Sequence, residues 1–78
     1  MKIERDDKFL FLLAKNVRTN RLSANISQEE LAWQCDIDRT YISKIERGVA
    51  NPSVLILVKI SKVLGVNLID LLIESTGN

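Results

Sequence analysis

The sequence predicts an all-α fold, a compact five-helix bundle formed by one domain that spans residues 1–78. Apolar residues recur at helical spacing, and no segment alternates between apolar and polar residues for long enough to predict a strand. Glycine and proline are rare, with three and one in the chain, and they lie between the apolar segments, where helices are expected to end. The helical periodicity and the placement of these residues together favour short helices joined by short loops.

The first helix is predicted to run from about Asp7 to Leu22, with Asp6 or Asp7 as its N-cap. Its inward face follows the i, i+3, i+4, i+7 pattern of an amphipathic helix, with Leu10, Leu13, Ala14 and Val17. The apolar run near its start is wider than one helical face, so we expect Phe11 or Leu12 to be partly exposed.

The second helix is predicted to open at Ser27 and to end at about Cys35. Glu30 follows Ser27 by three residues, which is the spacing of a capping box. A tight turn follows the helix, and its first residue is Asp36, a residue type that tolerates the left-handed backbone conformation better than most. The apolar side of the helix consists of Leu31, Ala32 and Cys35.

The third and fourth helices are bounded by caps and glycines. Asp38 is predicted to cap the third helix, which runs to Arg47 and stops at Gly48. Ser53 follows the single proline and begins the fourth helix, which ends at Gly65. This fourth helix is apolar on more than one face, as expected of a central helix, because it carries Leu55, Ile56, Val58, Ile60, Val63 and Leu64.

The last helix is predicted to be capped by Asn67 and to cover about residues 68–75. Five of its first six residues are apolar, which is more than one helix face can bury in so small a core. An exposed apolar patch usually marks an interface, and a two-fold partner is the commonest solution. We therefore expect a homodimer interface here, although these residues could instead simply close the bundle; the candidates are Leu68, Ile69, Leu71 and Leu72.

The composition excludes several classes of function. Lys and Arg number 11 and Asp and Glu number 10, so the net charge is +1 and a basic site must be a local patch. The chain has no histidine, and its one cysteine cannot form an internal disulfide. The sequence contains no glycine-rich phosphate loop and no metal-ligand cluster, so we predict neither an enzyme nor a cofactor. No signal-peptide pattern and no apolar window of ~18 residues is present, so a cytoplasmic protein is expected.

The third helix has two distinct sides. Ile42 and Ile45 point one way, and the opposite side carries Thr40, Ser43, Lys44 and Arg47, with Arg39 beside them. An ordinary amphipathic surface helix would satisfy this pattern. A helix-turn-helix would also satisfy it, because a small residue at Ala32 lets the third helix cross close to the second. The polar side then offers the groups that bind base edges in the major groove of DNA.

The segment 28–47, QEELAWQCDIDRTYISKIER, resembles the helix-turn-helix of the XRE (Cro/repressor-like) family of regulators. The resemblance covers residues 10–74 approximately, including VRTNR at 17–21, GVANPS at 48–53 and KISKVLGV at 59–66. It implies a lambda-repressor-like DNA-binding domain. With its run DRTYIS and without a second domain, the chain is most similar to controller proteins of restriction–modification systems.

The resemblance implies roles for individual residues. Base reading falls to Arg39, Thr40, Ser43 and Lys44, and contact with the DNA backbone to Gln28, Arg47 and Asn51. From its place on the flank of the third helix, Tyr41 is expected to donate its hydroxyl to a phosphate. Tyr41 could equally pack on the edge of the domain. Arg21 and Glu46 are expected to face each other and to fix the third helix in position, whereas Trp33 is expected to be a surface or packing residue.

The function that these expectations favour is a sequence-specific transcriptional regulator that binds a pseudo-palindromic operator in double-stranded DNA as a homodimer. As a controller protein it would regulate its own operon, with RNA polymerase as a further candidate partner. An antitoxin or phage-type repressor of the same fold is the alternative. A different class is a protein-interaction module that has lost DNA binding, but the polar and basic side of the third helix disfavours it.

Overall fold

Helices account for most of the computed structural model, which describes residues 7–74. Within these residues the helices span Asp7–Ser23 (α1), Gln28–Cys35 (α2), Arg39–Glu46 (α3), Val54–Leu64 (α4) and Leu68–Leu72 (α5), and no strand is formed. The predicted all-α bundle is confirmed. The predicted N-cap Asp6 and the predicted last residue of α5, Ser75, lie outside the described residues. Helix α5 is shorter than predicted, because it ends at Leu72 and its C-cap Ile73 has an extended backbone.

Side-chain caps start three of the helices where the sequence predicts them. Ser27 accepts a hydrogen bond from the backbone N–H of Glu30 at 3.0 Å, and Asp38 accepts one from Thr40 at 2.8 Å. Ser53 caps α4 in the same way. The predicted capping box at the start of α2 is only half formed, because the Glu30 carboxylate accepts from Gln34, one turn further along the helix, at 2.7 Å.

The core lies where α1, α2, α4 and α5 meet under α3. Its largest fully buried side chains are Leu13, Val17, Leu31, Ile42, Ile45, Ile60 and Leu71. One stripe of α4 is buried, with Leu57, Ile60, Ser61 and Leu64. The other apolar residues of α4 are half-buried or exposed, so an apolar pattern on more than one face does not mean burial of more than one face. Leu55 lies opposite this stripe and is 75% exposed.

Cys35 belongs to the same core and is buried. Burial raises the pKa of its thiol, and the positive charge of Lys59 offsets this rise in part. The thiol is therefore protonated at neutral pH, and its contribution is packing, as the sequence predicts. Among residues 7–74 no helix is long and apolar enough to cross a membrane.

The turn between α2 and α3 depends on Asp36. Its backbone is left-handed, with φ 56° and ψ 46°, as predicted. This conformation lets the N–H of Ile37 reach back to the carbonyl of Ala32 at 3.0 Å, which ends α2 and directs the chain into α3. The sharp turn places the start of α3 beside α2, and Asp38 is then free to cap it.

The left-handed turn gives a stability prediction. Asp36→Ala should lower the free energy of unfolding by about 1 kcal/mol, because a Cβ without a local hydrogen-bonding group tolerates this conformation poorly. Asp36→Gly should leave the free energy of unfolding unchanged or higher, since glycine adopts positive φ without strain. Urea unfolding followed by circular dichroism measures both. An alanine variant as stable as the glycine variant would show that the turn does not constrain the residue.

Candidate nucleic-acid interface

The polar side of α3 faces solvent. Ile42 and Ile45 are fully buried beneath α3, and Arg39, Thr40 and Lys44 on its outer side are exposed. This separation follows from the one-turn spacing of the two isoleucines, which fixes which side of the helix meets the core. The outer side offers a guanidinium, a hydroxyl and an ammonium to a ligand.

The start of α2 adds to this surface. Gln28 and Arg39 line one shallow polar depression, which also includes Arg21, Ser27 and Glu29. The first residues of α2 and α3 are therefore neighbours. Helix N-termini present backbone N–H groups that suit phosphate oxygens, so this arrangement can hold a DNA backbone next to the groups that would read bases.

The predicted ion pair between α1 and α3 is formed. Arg21 donates through Nε to Oε2 of Glu46 at 2.6 Å and through a terminal nitrogen to Oε1 at 3.0 Å. The side chains are 10% and 3% exposed, respectively. The other terminal nitrogen of Arg21 donates to the carbonyl of Ile26 at 2.9 Å, in the loop that leads into α2. The end of α3 is thus connected to α1 by a two-pronged contact of defined geometry.

A third residue joins this pair, and the sequence did not indicate it. The side-chain amide of Gln28 donates to Oε1 of Glu46 at 3.1 Å. One amide hydrogen of Gln28 is therefore used inside the protein, and the same nitrogen carries a second hydrogen. No spacing pattern relates residues 18 positions apart on two helices, so only the folded structure reveals this contact.

The pairing of Glu46 determines the charge that α3 presents. Glu46 is the only acidic residue of α3, and its carboxylate is buried against Arg21. The exposed charges on α3 and its two caps are the cations Arg39, Lys44 and Arg47 and the carboxylate of the N-cap Asp38. A chain of net charge +1 therefore carries a positive patch on this helix.

The remaining predicted contact residues lie around this patch. Tyr41 is half-buried and packs against the core. This agrees with the expectation that it packs on the edge of the domain. Ser43 is half-buried, whereas Asn51 is exposed in the loop between α3 and α4. Trp33 is largely exposed on α2, so it is a surface residue rather than a packing residue.

The α5 residues predicted for a dimer interface separate into two groups. Leu71 is 0% exposed because it points into the core of its own bundle, so its assignment to an interface is wrong. Leu68 and Leu72 are half-buried at the edge of the core. Ile69 is 54% exposed and remains available to a partner. Other large apolar side chains exposed on α4 and after α5 are Val54, Leu55 and Ile73.

Comparison with known proteins gives a consistent result. Residues 17–71 match a protein family described as helix-turn-helix. The control protein C.BamHI of Bacillus amyloliquefaciens is 56% identical over 69 residues, which are 86% of this chain and 85% of that protein.

Solved structures agree. The hypothetical transcription factor NHTF from Neisseria matches with a TM-score of 0.81 and 38% identity, over 94% of this chain and 85% of that chain. The restriction-modification controller protein C.AhdI from Aeromonas hydrophila matches with a TM-score of 0.77 and 31% identity, over 80% of this chain and 94% of that chain.

The buried pair yields a test of its energetics. Glu46→Leu should lower the free energy of unfolding by about 3 kcal/mol or more, because it leaves the guanidinium of Arg21 buried without a counter-charge. The double variant Arg21→Met/Glu46→Leu should recover most of this loss, since both charges are then replaced by apolar groups. Denaturant unfolding compares the three proteins. If Glu46→Leu is as stable as the wild type, the guanidinium of Arg21 must reach solvent in this variant.

Proposed function

Since the chain belongs to the helix-turn-helix family of DNA-binding regulators, we propose that it is a controller protein of a restriction–modification system. In this proposal it binds a pseudo-palindromic operator as a homodimer and regulates its own operon. The 56% identity to the control protein C.BamHI supports the assignment to controllers. The observation that carries DNA recognition is the exposed polar side of α3 above the buried Ile42 and Ile45.

The proposed docking places α3 in the major groove with its N-terminal residues at the base edges. Arg39 is the first residue of α3 and is exposed. Its planar guanidinium can donate two hydrogen bonds to O6 and N7 of guanine. Thr40 and Lys44 are the next exposed residues along this side, and Ser43 contributes a half-buried hydroxyl between them.

The DNA backbone would be held on either side of the groove. The free amide hydrogen of Gln28 and the N-terminal N–H groups of α2 form one set of phosphate contacts. Arg47 and Asn51, at the other end of α3, form the second set, and the hydroxyl of Tyr41 can join it. These contacts fix the register of α3 but carry no base information.

A homodimer is proposed because one copy offers few phosphate contacts. Sequence-independent affinity depends on the number of phosphates neutralised, and the net charge is only +1. A two-fold dimer doubles the contacts and reads half-sites separated by about one helical turn, ~34 Å. The apolar residues Ile69, Leu68 and Leu72 of α5, with Ile73 and the exposed start of α4, supply the surface for this dimer.

The setting of the protein follows from the proposed role. A regulator of its own operon acts where the chromosome lies, so we place it in the cytoplasm, bound to the nucleoid. RNA polymerase is the further proposed partner, because control of transcription acts at the promoter.

Selection of bound sites from random duplex DNA tests the proposal most directly. Recovery of a two-fold repeated site supports it, and recovery of unrelated sequences contradicts it.

The role of Arg39 can be measured separately. Arg39→Ala should weaken binding to the selected operator by ~1–3 kcal/mol and should remove the preference for one base pair in each half-site. Lys62→Ala is the matched control, because Lys62 is an exposed cation in the last turn of α4, and it should bind like the wild type. Fluorescence anisotropy with operator variants gives both quantities. An equal loss of affinity for every DNA sequence would mean that Arg39 contacts a phosphate rather than a base.

The dimer surface can be tested by sedimentation. Ile69→Lys should shift the protein from dimer to monomer, because it places a charge in the proposed apolar contact. Leu22→Lys is a close control, since Leu22 is 56% exposed and Ile69 is 54% exposed, and Leu22 lies near the end of α1. The control should keep the mass of the wild type. If Ile69→Lys also keeps it, α5 does not form the interface.

A further inference from the structure

A buried polar side chain on α1 takes no part in the DNA surface. Asn16 is 6% exposed. Its amide nitrogen donates two hydrogen bonds, to the backbone carbonyl of Leu71 at 3.1 Å and to that of Ile73 at 2.8 Å. These partners lie at the end of α5 and just beyond it. A single side chain of α1 therefore holds the end of the helix proposed for dimerisation.

The chemistry of this contact suits an asparagine. The last carbonyls of a helix have no partner within the helix, and a side-chain amide nitrogen carries two hydrogens. Asn16 satisfies two carbonyls with one neutral group. A hydroxyl would satisfy one, and a carboxylate would repel both. Because hydrogen bonds are directional, the contact constrains the angle of α5 as well as its distance from α1.

The same helix also holds α3. Arg21 lies five residues after Asn16, about 7.5 Å further along the axis of α1, and it binds Glu46 at the end of α3. Both contacts start from buried side chains of one continuous helix of 17 residues. The position of α3 relative to α5 is therefore set through α1.

We propose that Asn16 is a positioning residue that fixes the angle between α5 and α3, and so determines which separation of two half-sites the dimer accepts. This inference rests on the proposed function, because it requires a dimer that contacts two half-sites through its two α3 helices. Apolar packing at Leu71 alone would hold α5 against α1, but it is less directional than the two hydrogen bonds of Asn16.

The test uses duplexes in which the two half-sites of the selected operator are separated by the native spacing or by one or two base pairs more or fewer. A single half-site serves as the reference. The wild type should prefer the native spacing by about 10-fold or more over a change of one base pair, since half-site separation mirrors protein geometry. Asn16→Leu, which has a similar size but no donor, should reduce this preference to about 2-fold and leave single half-site binding unchanged.

Two further variants make the result specific. Asn20→Leu is the same substitution one turn later, and it removes only a 2.8 Å hydrogen bond from Asn20 to the Asn16 carbonyl within α1. It should keep the spacing preference of the wild type. Asn16→Ser offers at most one donor, on a shorter side chain, and should also weaken the spacing preference. Circular dichroism establishes that each variant is folded.

The outcomes separate the inference from the function on which it rests. A folded Asn16→Leu variant with the spacing preference of the wild type would overturn the positioning role. Failure of both Asn16 variants to fold would also overturn it, because the residue would then be needed for folding as a whole. If the wild type binds paired half-sites no better than one half-site, dimeric operator binding itself is wrong.

Discussion

The orientation of α3 depends on one buried carboxylate. Glu46 accepts three hydrogen bonds, two from Arg21 on α1 and one from Gln28 at the start of α2. Three helices therefore meet at its two oxygens. A buried ion pair is weak evidence for stability, because the desolvation of both charges offsets their attraction. Its geometry is nevertheless restrictive, since a two-pronged guanidinium–carboxylate contact permits little rotation. We infer that the interaction serves the direction of α3 more than its stability.

The same interaction explains how a nearly neutral protein can present a basic helix. The chain has 11 basic and 10 acidic residues, so an even distribution would leave no patch. The acidic residue of α3 is withdrawn into the protein and neutralised by Arg21, and Arg39, Lys44 and Arg47 remain outside. A small patch gives little affinity for DNA of any sequence. In the proposed complex, discrimination between DNA sequences would then come from base contacts and from the use of two copies.

The sequence predicted those features that depend on local periodicity and on caps. The burial of Ile42 and Ile45, the left-handed Asp36 and the caps of α2, α3 and α4 are examples. The sequence did not predict which residues of α5 are buried, because apolar residues are adjacent to one another in this short helix. Five residues are too few for periodicity to separate Leu71, which is buried, from Ile69, which is exposed.

Contacts between distant parts of the chain carry no local signal. The pair Arg21–Glu46 was expected only from resemblance to a family, because nothing in a separation of 25 residues indicates it. The contacts of Gln28 and Asn16 were not anticipated at all. Asparagine and glutamine are common surface residues, and the burial of Asn16 and the partial burial of Gln28 follow from where α5 and α3 pack against α1 and α2. The sequence alone cannot identify such residues, because the carbonyl and carboxylate groups that they bind come close to them only in the folded structure.

These polar contacts have a shared consequence for the proposed binding of a repeated site on DNA. Apolar packing brings helices together but is non-directional, and cores tolerate small shifts between helices. A shift of α5 against α1 would be transmitted to both copies of α3 in a two-fold dimer, so its effect on their separation would be doubled. Directional hydrogen bonds at Asn16 and Arg21 oppose such shifts at the two places where α1 meets α5 and α3. A domain with one modest core can in this way hold a defined geometry without a larger interface, because a few buried polar groups specify angles that apolar contacts leave free.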